Sequence, residues 1–160
     1  MPRPKPIRPE RHPYLAESNL LALLGHNLRR SFVSLAAGAD NVLAERFGLG
    51  SAEFAVLVLL LDNHGASQKS VGRTLMIDPG NLANLLHRME DAALLCRVTD
   101  PHDRRIRGLE LTAKGRLTAR ESLRMVQALE KTFLRPLSSR QAGELLRLLR
   151  KLTEGRHLDV

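Results

Sequence analysis

The sequence predicts a mainly α-helical fold that carries one small β-hairpin. Three observations support this fold class: long segments with apolar residues at helical spacing, clear helix-capping residues between them, and one pair of short strand-like segments. The chain has 160 residues, of which 43% are hydrophobic. This length and composition suffice for a single domain with its own core.

The first predicted helix is unusually long. No proline occurs between Tyr14 and Arg46. Apolar residues recur there every seven positions, at Leu21, Leu28, Leu35 and Val42. A helix of about 30 residues is about 45 Å long, which is more than a domain of this size covers by itself. The pattern therefore predicts that part of this helix packs against a second copy of the chain.

The middle of the chain predicts two short helices after a buried one that has Ser51 as its N-cap. Ser67 is placed to cap the first short helix, which ends at Leu75. Asp78 and Pro79 start the second, because an aspartate oxygen accepts from the free first-turn amides and proline fits the first helical position. Its apolar face consists of Leu82, Leu85, Leu86, Met89 and Ala93. Two such helices around a tight turn outline a helix-turn-helix.

The opposite face of the second short helix is polar and basic. It carries the candidate DNA-reading residues, which are Gly80, Asn81, Asn84, His87 and Arg88. Asparagine pairs with adenine edges in the major groove, whereas histidine and arginine reach guanine or phosphate. The alternative is an ordinary solvated helix face. The position of these residues directly after a helix N-cap favours a reading face.

Two short strands are predicted at 94–99 and 107–112, on either side of a charged turn. This hairpin has the place and size of a wing. Thr112 then caps a helix that runs to about Arg135, where Pro136 ends it. The predicted inward residues of this helix are Leu123, Val126, Leu129 and Phe133.

The last predicted helix opens at Ser138 with a capping-box pattern. It carries an apolar stripe formed by Leu145, Leu148, Leu149 and Leu152. Apolar stripes at both ends of the chain predict a homodimer that is held together by its N- and C-terminal helices.

The charge of the chain favours an anionic partner such as nucleic acid, since 25 Lys and Arg oppose 17 Asp and Glu for a formal net charge of +8. No apolar run approaches the roughly 18 residues that indicate a membrane span. Residues 1–13 have the composition of a flexible basic arm rather than of a signal peptide. Because Cys96 is the only cysteine, no intrachain disulfide can form. We expect a cytoplasmic protein.

The turn and the residues after it resemble a signature of the multiple-antibiotic-resistance regulator (MarR) family. Residues 100–105, Asp-Pro-His-Asp-Arg-Arg, and residues 109–115, Leu-Glu-Leu-Thr-Ala-Lys-Gly, are similar to the family's D-P-x-D-R-R…L-x-L-T-x-x-G. The similarity continues backward through 94–97 and 85–90. Two features depart from the family: Ala93 stands where a glycine usually closes the recognition helix, and the reading face lacks serine and threonine.

The resemblance implies a dimeric winged helix-turn-helix repressor that binds double-stranded DNA at a pseudo-palindromic operator. It implies that Arg105 enters the minor groove, where negative potential is focused, while Asp103 orients it. Arg104 and Arg107 would contact phosphates. Without the motif, these side chains would be ordinary surface ion pairs. Residues 14–160 would form one domain, with dimerisation helices at 14–47 and 114–160 and the winged helix at 51–112.

The resemblance also implies that a small aromatic or amphipathic ligand relieves repression by binding between the dimer helices and the reading head. The sequence assigns no residue to this ligand and does not specify the operator. The alternative function is a ligand-independent architectural DNA-binding protein, in which net charge supplies most of the affinity. A strong preference for one palindrome over random DNA separates the two.

An enzyme finds little support in the sequence. Asp100 and Asp103 are the only carboxylates that look paired, and they lie on a hairpin tip where nothing excludes water. The six histidines lack the spacing of a metal site, and no phosphate-binding loop is present. Cys96 beside Arg97 suggests a redox switch, but a small hydrophobic residue in a wing strand is the favoured interpretation. We therefore predict no catalytic activity, cofactor or metal.

Overall fold

The computed structural model describes residues 18–99 and 107–154. Its elements are α1 Ser18–Leu21, α2 Leu24–Phe47, α3 Ser51–Asp62, β1 Ala66–Ser67, α4 Gln68–Leu75, α5 Pro79–Asp91, β2 Leu95–Thr99, β3 Arg107–Leu111, α6 Ala113–Phe133 and α7 Ser139–Thr153. The mainly α fold with a small sheet is confirmed. The chain divides into two compact units between Ser34 and Leu35. The predicted arm, residues 1–13, lies outside the described residues.

In the first unit, the continuous helix expected from position 14 onward is interrupted. Helix α1 ends at Leu21, and α2 begins at Leu24. The side-chain amide of Asn27 donates to the carbonyl oxygens of Leu21 and Leu23, both at 2.8 Å. An asparagine side chain that binds backbone carbonyls offers the chain an alternative to the helical ladder. The prediction of one uninterrupted long helix is therefore wrong.

The core of the second unit forms around α3. This helix is apolar on all sides, and Val56, Leu57 and Leu60 are fully buried in it. The other large side chains that are fully buried are Leu43, Val71, Leu82, Leu86, Met89, Leu95, Leu109 and Leu111. Each such side chain contributes about 1.5–3 kcal/mol to the free energy of unfolding through the area it removes from water. Most of these side chains belong to α3, α5 and the sheet, so the burial mainly stabilises the packing of these three elements against one another.

The start of α3 differs from the prediction by one residue. Gly50 is the N-cap and Ser51 is the first helical residue. The Oε2 atom of Glu53 accepts a hydrogen bond from the Gly50 amide at 2.9 Å. Glu53, the third residue of the helix, thus satisfies the backbone amide of the N-cap residue, as the glutamate of a capping box does.

The strands form one antiparallel sheet in the order β1-β3-β2. In the hairpin, Leu95 pairs with Leu111 and Thr99 pairs with Arg107. Leu94 and Thr112 lie just outside the strands, so the predicted bounds were one residue too wide on the inner side. Strand β1 was not predicted, and it pairs with β3 through only two residues. A strand this short has no periodicity to recognise.

Helix α6 has the predicted start, and its buried face agrees with the prediction only in part. Thr112 is its N-cap, and the helix ends at Phe133, just before the predicted end. Phe133 was expected to face inward, but its side chain is 39% exposed, and this prediction is wrong for the single chain. The buried residues of α6 are Gly115, Ala119, Ser122 and Val126, and of these only Val126 was predicted to face inward. The three small residues bring the helix close to the core, and the predicted inward residues Leu123 and Leu129 are only half-buried.

Helix α7 begins with the predicted capping box. The amide of Ser138 donates to Oε1 of Gln141 at 2.9 Å, and the amide of Gln141 donates to Oγ of Ser138 at 3.3 Å. No residue of α7 is buried, and Leu145, Leu148 and Leu152 keep 40%, 44% and 46% exposure. The leucine stripe is thus an exposed apolar surface. Within 18–99 and 107–154, no helix is both long and apolar enough to cross a membrane.

Candidate nucleic-acid interface

Helices α4 and α5 form the predicted helix-turn-helix. Ser67 caps the start of α4, and Met76, the C-cap that follows Leu75, has the left-handed conformation with φ of 54°. The Ile77 amide then donates to the carbonyl of Gly72 at 3.0 Å. A Cβ atom on Gly72 would lie only 3.1 Å from Cδ2 of Leu82, so the two helices are in close contact. The turn therefore fixes α5 tightly against α4.

The N-terminus of α5 is capped as predicted. Oδ1 of Asp78 accepts from the amides of Gly80 at 2.9 Å and Asn81 at 3.2 Å, and Pro79 is the first helical residue. The buried residues of the helix are Leu82, Leu85, Leu86 and Met89. Ala93, expected to extend this face, lies beyond the helix end and is exposed, so that part of the prediction is wrong.

All the predicted reading residues of α5 lie on its exposed face: Gly80, Asn81, Asn84, His87 and Arg88. Within the described parts of the chain, the side-chain amides of Asn81 and Asn84 make no hydrogen bond. Each amide carries donors and an acceptor that are open to an incoming group. The first two turns of α5 therefore present two side-chain amides that no other described residue engages, on a helix whose opposite face is buried.

The two basic residues of this face have carboxylate partners. Nε2 of His87 lies 3.6 Å from Oδ2 of Asp91, and both side chains are highly exposed. Nη2 of Arg88 donates to Oε1 of Glu53 at 2.9 Å, and the other oxygen of the same carboxylate holds the Gly50 amide. The Arg88 side chain is still 61% exposed. Arg88 therefore ties α5 to the start of α3 while part of its guanidinium stays accessible.

Arg97 joins the wing to both helices, a role that was not predicted from the sequence. Arg97 on β2 donates from Nε to Oε2 of Glu90 at 3.2 Å and from Nη1 to Oε1 of Gln68 at 3.1 Å. Glu90 belongs to α5 and Gln68 to α4. One guanidinium thus fixes the base of the wing to the whole helix-turn-helix. Only the type of residue, an arginine on a short strand, could have suggested this.

The predicted DNA contacts of the wing fall largely outside the described residues. Arg107 is the first residue of β3 and pairs with Thr99. Asp103, Arg104 and Arg105 belong to the turn at 100–106, which the structure does not describe. Their roles stay predictions.

Cys96 lies on β2 opposite Glu110, and it is a free, exposed cysteine. It is thus in the predicted wing strand but not in an apolar environment. Among the residues that the structure describes, no group of three His, Cys, Asp or Glu side chains could hold a metal ion. A groove of about 430 Å³ is lined by Arg46, Phe47, Glu121, Arg124 and Met125. Its lining contains both arginines and the acidic Glu121, so its charge does not indicate one class of ligand.

The structure is a winged helix-turn-helix, a fold typical of transcriptional regulators. Its parts are α5 with its exposed side-chain amides, α4 packed closely against α5, and the three-stranded sheet that carries the wing. The MarR family model matches residues 47–106. The HTH-type transcriptional repressor Rv2887 of Mycobacterium tuberculosis is 30% identical over 131 residues, which cover 82% of this chain and 94% of that protein. The chain belongs to the MarR family and is a transcriptional regulator.

Solved structures agree with this assignment. The transcriptional repressor CouR, bound to a 23-mer DNA duplex, is 30% identical with a TM-score of 0.80, covering 88% of this chain and 99% of that chain. BpsR of Bordetella bronchiseptica is 26% identical with a TM-score of 0.75, covering 91% and 100%. Rv2887 in complex with DNA is 28% identical with a TM-score of 0.66, covering 81% and 97%. The winged helix-turn-helix prediction is confirmed.

Proposed function

We propose that this protein is a sequence-specific repressor that binds a pseudo-palindromic DNA operator as a homodimer in the cytoplasm. The observation that carries the proposal is the exposed face of α5, where the amides of Asn81 and Asn84 are unsatisfied on a helix whose other face is buried. Two relatives, CouR and Rv2887, have structures with bound DNA. A rigid helix with open amides is the device by which this class of fold reads the major groove.

The residues of α5 have distinct roles in this proposal. Asn81 and Asn84 read adenine edges, each by donating and accepting one hydrogen bond. Gly80 has no side chain, so the first turn can approach the DNA backbone closely. His87 and Arg88 both lie about one turn beyond Asn84 and contact guanine or phosphate. Arg88 does so with the part of its guanidinium that the pair with Glu53 leaves exposed.

The wing supplies charge and shape readout. Arg105 enters the minor groove and Asp103 orients it, as the family motif implies. Arg104 and Arg107 contact phosphates, which sets affinity without reading sequence. The bond network of Arg97 supports this division, because it holds the base of the wing at a fixed place beside α5.

The dimer is supported by apolar surface that the single chain leaves open. On α7, Leu148 is 44% exposed, and in the N-terminal unit Phe32 is 69% exposed and Leu24 60% exposed. Large apolar side chains that stay exposed in such numbers mark an interaction site. Helices from 14–47 and 114–160 form the interface in this proposal. Two-fold symmetry then places the two α5 helices in successive major grooves, about 34–36 Å apart.

A small aromatic acid is the proposed ligand that releases the operator. Rv2887 has been solved with salicylic acid, and the DNA binding of BpsR is regulated by 6-hydroxynicotinic acid. Such a ligand lowers operator affinity only to the extent that it binds better to a dimer whose α5 helices are wrongly spaced. Its effect should therefore be visible on the operator and weak on random DNA.

The test compares Arg105→Ala with Asn84→Ala on an operator recovered by selection from random DNA. Arg105→Ala should weaken binding to operator and random DNA alike and reduce the salt dependence by about one phosphate equivalent. Asn84→Ala should cost about 1–3 kcal/mol on the operator and little on random DNA, with an unchanged salt slope. Asn63→Ala, which removes an exposed amide at the end of α3, is the control.

Each result has a clear opposite. If Arg105→Ala binds the operator as tightly as the unmodified protein, the wing does not contact DNA. If Asn84→Ala behaves like Asn63→Ala, α5 is not the reading helix. If selection recovers no preferred sequence, the architectural DNA-binding function replaces the one proposed.

A further inference from the structure

The backbone that leaves α5 is held by the first turn of α6. The ammonium of Lys114 donates to the carbonyl oxygen of Ala92 at 2.8 Å. The hydroxyl of Thr112 donates to the carbonyl of Ala93 at 2.7 Å, and the amide of Thr112 donates to the carbonyl of Leu94 at 3.1 Å. Three consecutive carbonyls after the predicted recognition helix thus have donors from one short segment.

Gly115 completes this contact. A Cβ atom at this position would overlap the carbonyl oxygen of Leu94, so the first turn of α6 lies directly against that backbone. The Gly115 amide donates to Oγ1 of Thr112 at 2.9 Å, so one hydroxyl caps α6 and also binds the chain that leaves α5. We call residues 92–94 together with 112–115 the α5–α6 joint.

Lys114 has an electrostatic role in the joint. Ala92 is the C-cap of α5, and the free carbonyls at a helix C-terminus carry partial negative charge. A lysine ammonium at this end stabilises the helix and fixes its last turn. Among the described residues, no carboxylate forms an ion pair with Lys114, so the carbonyl is its partner.

We infer that Thr112 and Lys114 are positioning residues for operator recognition, which couple the orientation of α5 to that of α6. This inference rests on the proposed function, in which α5 reads DNA and α6 belongs to the dimer-forming part of the chain. The two residues do not contact DNA. Because these hydrogen bonds hold the end of α5 to the start of α6, the distance between the two α5 helices follows the distance between the two α6 helices. Any ligand or subunit motion that displaces α6 then changes the spacing of the reading helices.

The test uses Lys114→Met, which keeps the aliphatic stem and removes the ammonium. Lys131→Met is the matched control, since it removes the same charge from an exposed position about 25 Å further along α6. The measured quantity is the ratio of affinities for the selected operator and for the same operator with one base pair inserted between its half-sites. Lys114→Met should reduce this ratio about fivefold, the factor that corresponds to about 1 kcal/mol for one lost hydrogen bond.

Lys131→Met should leave the ratio unchanged, and Lys114→Arg should restore much of it because a guanidinium can still donate to Ala92. Thr112→Ser, which keeps the hydroxyl, should also retain the ratio, whereas Thr112→Val should lower it. These conservative variants separate loss of the hydrogen bond from a general loss of folding.

Three results would overturn the inference. Equal weakening of all DNAs by Lys114→Met with a salt slope smaller by about 0.9 would make Lys114 a phosphate contact. A lower melting temperature with an unchanged ratio would make its role structural only. An unchanged ratio and melting temperature would leave the joint without effect on recognition. If the unmodified protein has no preferred operator, the proposed function itself fails, which is a distinguishable outcome.

Discussion

Ala93 occupies a backbone conformation that disfavours any residue with a side chain, and replacing it should stabilise the protein. Its φ is 54°, in the left-handed region. A Cβ atom there costs on the order of 1–2 kcal/mol. Glycine removes this cost but gives the unfolded chain more freedom, which returns about 0.4–1 kcal/mol. Ala93→Gly should therefore raise the free energy of unfolding by about 0.5–1 kcal/mol.

The substitution leaves the turn's hydrogen bonds in place because they are made by the backbone. The Ala93 amide donates to the carbonyl of Glu90 at 2.8 Å, and the Leu94 amide donates to that of Met89 at 2.9 Å. Thermal unfolding followed by circular dichroism should show a midpoint about 1–4 °C higher, since 1 kcal/mol shifts a chain of this size by about 2–4 °C. Urea unfolding should show the same sign.

The matched control is the neighbouring alanine. Ala92 is also exposed, but its φ is −76°, which suits any residue. Ala92→Gly should lower the free energy of unfolding by about 0.5–1 kcal/mol, because glycine only adds flexibility there. If Ala93→Gly lowers the midpoint as Ala92→Gly does, Ala93 is not strained and the reasoning is refuted.

Three further outcomes are expected. Leu148→Glu combined with Leu149→Glu should convert a dimer into monomers or unfolded chain, as measured by light scattering, and an unmodified protein that is monomeric at micromolar concentration would contradict the dimer. Glu53→Gln should release Arg88 and strengthen binding to random DNA with a salt slope steeper by up to about 0.9, and an unchanged slope would show that Arg88 does not contact phosphate. Cys96→Ser should leave DNA binding and its response to peroxide unchanged, whereas a peroxide effect lost in the variant would make Cys96 a redox switch.

The parts of the fold that the sequence predicted well are those fixed by chemistry between near neighbours. Asp78, Thr112 and Ser138 cap the helices they were expected to cap, because the oxygen and the amides it accepts from lie within a few residues. The break before α2 is equally local, but it depends on Asn27 reaching backward to Leu21. A heptad pattern contains no information about that bond.

The buried face of α6 could not be predicted from hydrophobicity alone. Ser122 is completely buried, and its hydroxyl is satisfied by the carbonyl of Thr118 at 2.7 Å within the same helix. Such a bond lets a serine enter the core at little cost. Ala119 is buried beside it, and these small residues let the helix approach the core closely. Large apolar side chains were expected to be the buried ones, so Phe133 was predicted to lie inside and Ala119 and Ser122 were not.

The exposed face of α5 followed from its helical period, but the pairing of its arginine did not. Arg88 and Glu53 are 35 residues apart, and Arg97 and Gln68 are 29 apart. Long-range side-chain pairs of this kind depend on how α3, α4 and the wing pack, which no local pattern encodes. The sequence therefore identified which residues face outward and left open which of them are already engaged.

The pairing of Arg88 with Glu53 affects which parts of the interface supply the electrostatic, salt-dependent part of the DNA affinity. Arg88 is the only arginine or lysine among the reading residues of α5, and it is paired with Glu53. A charge that is already compensated releases few counterions when a phosphate approaches, so α5 itself should contribute little to the salt dependence of binding. Its contribution is then the amide chemistry of its first two turns. The electrostatic attraction for any DNA must therefore come mainly from residues outside α5. Substitutions of the α5 amides should change the specificity of binding, whereas substitutions of the wing arginines should change its salt dependence.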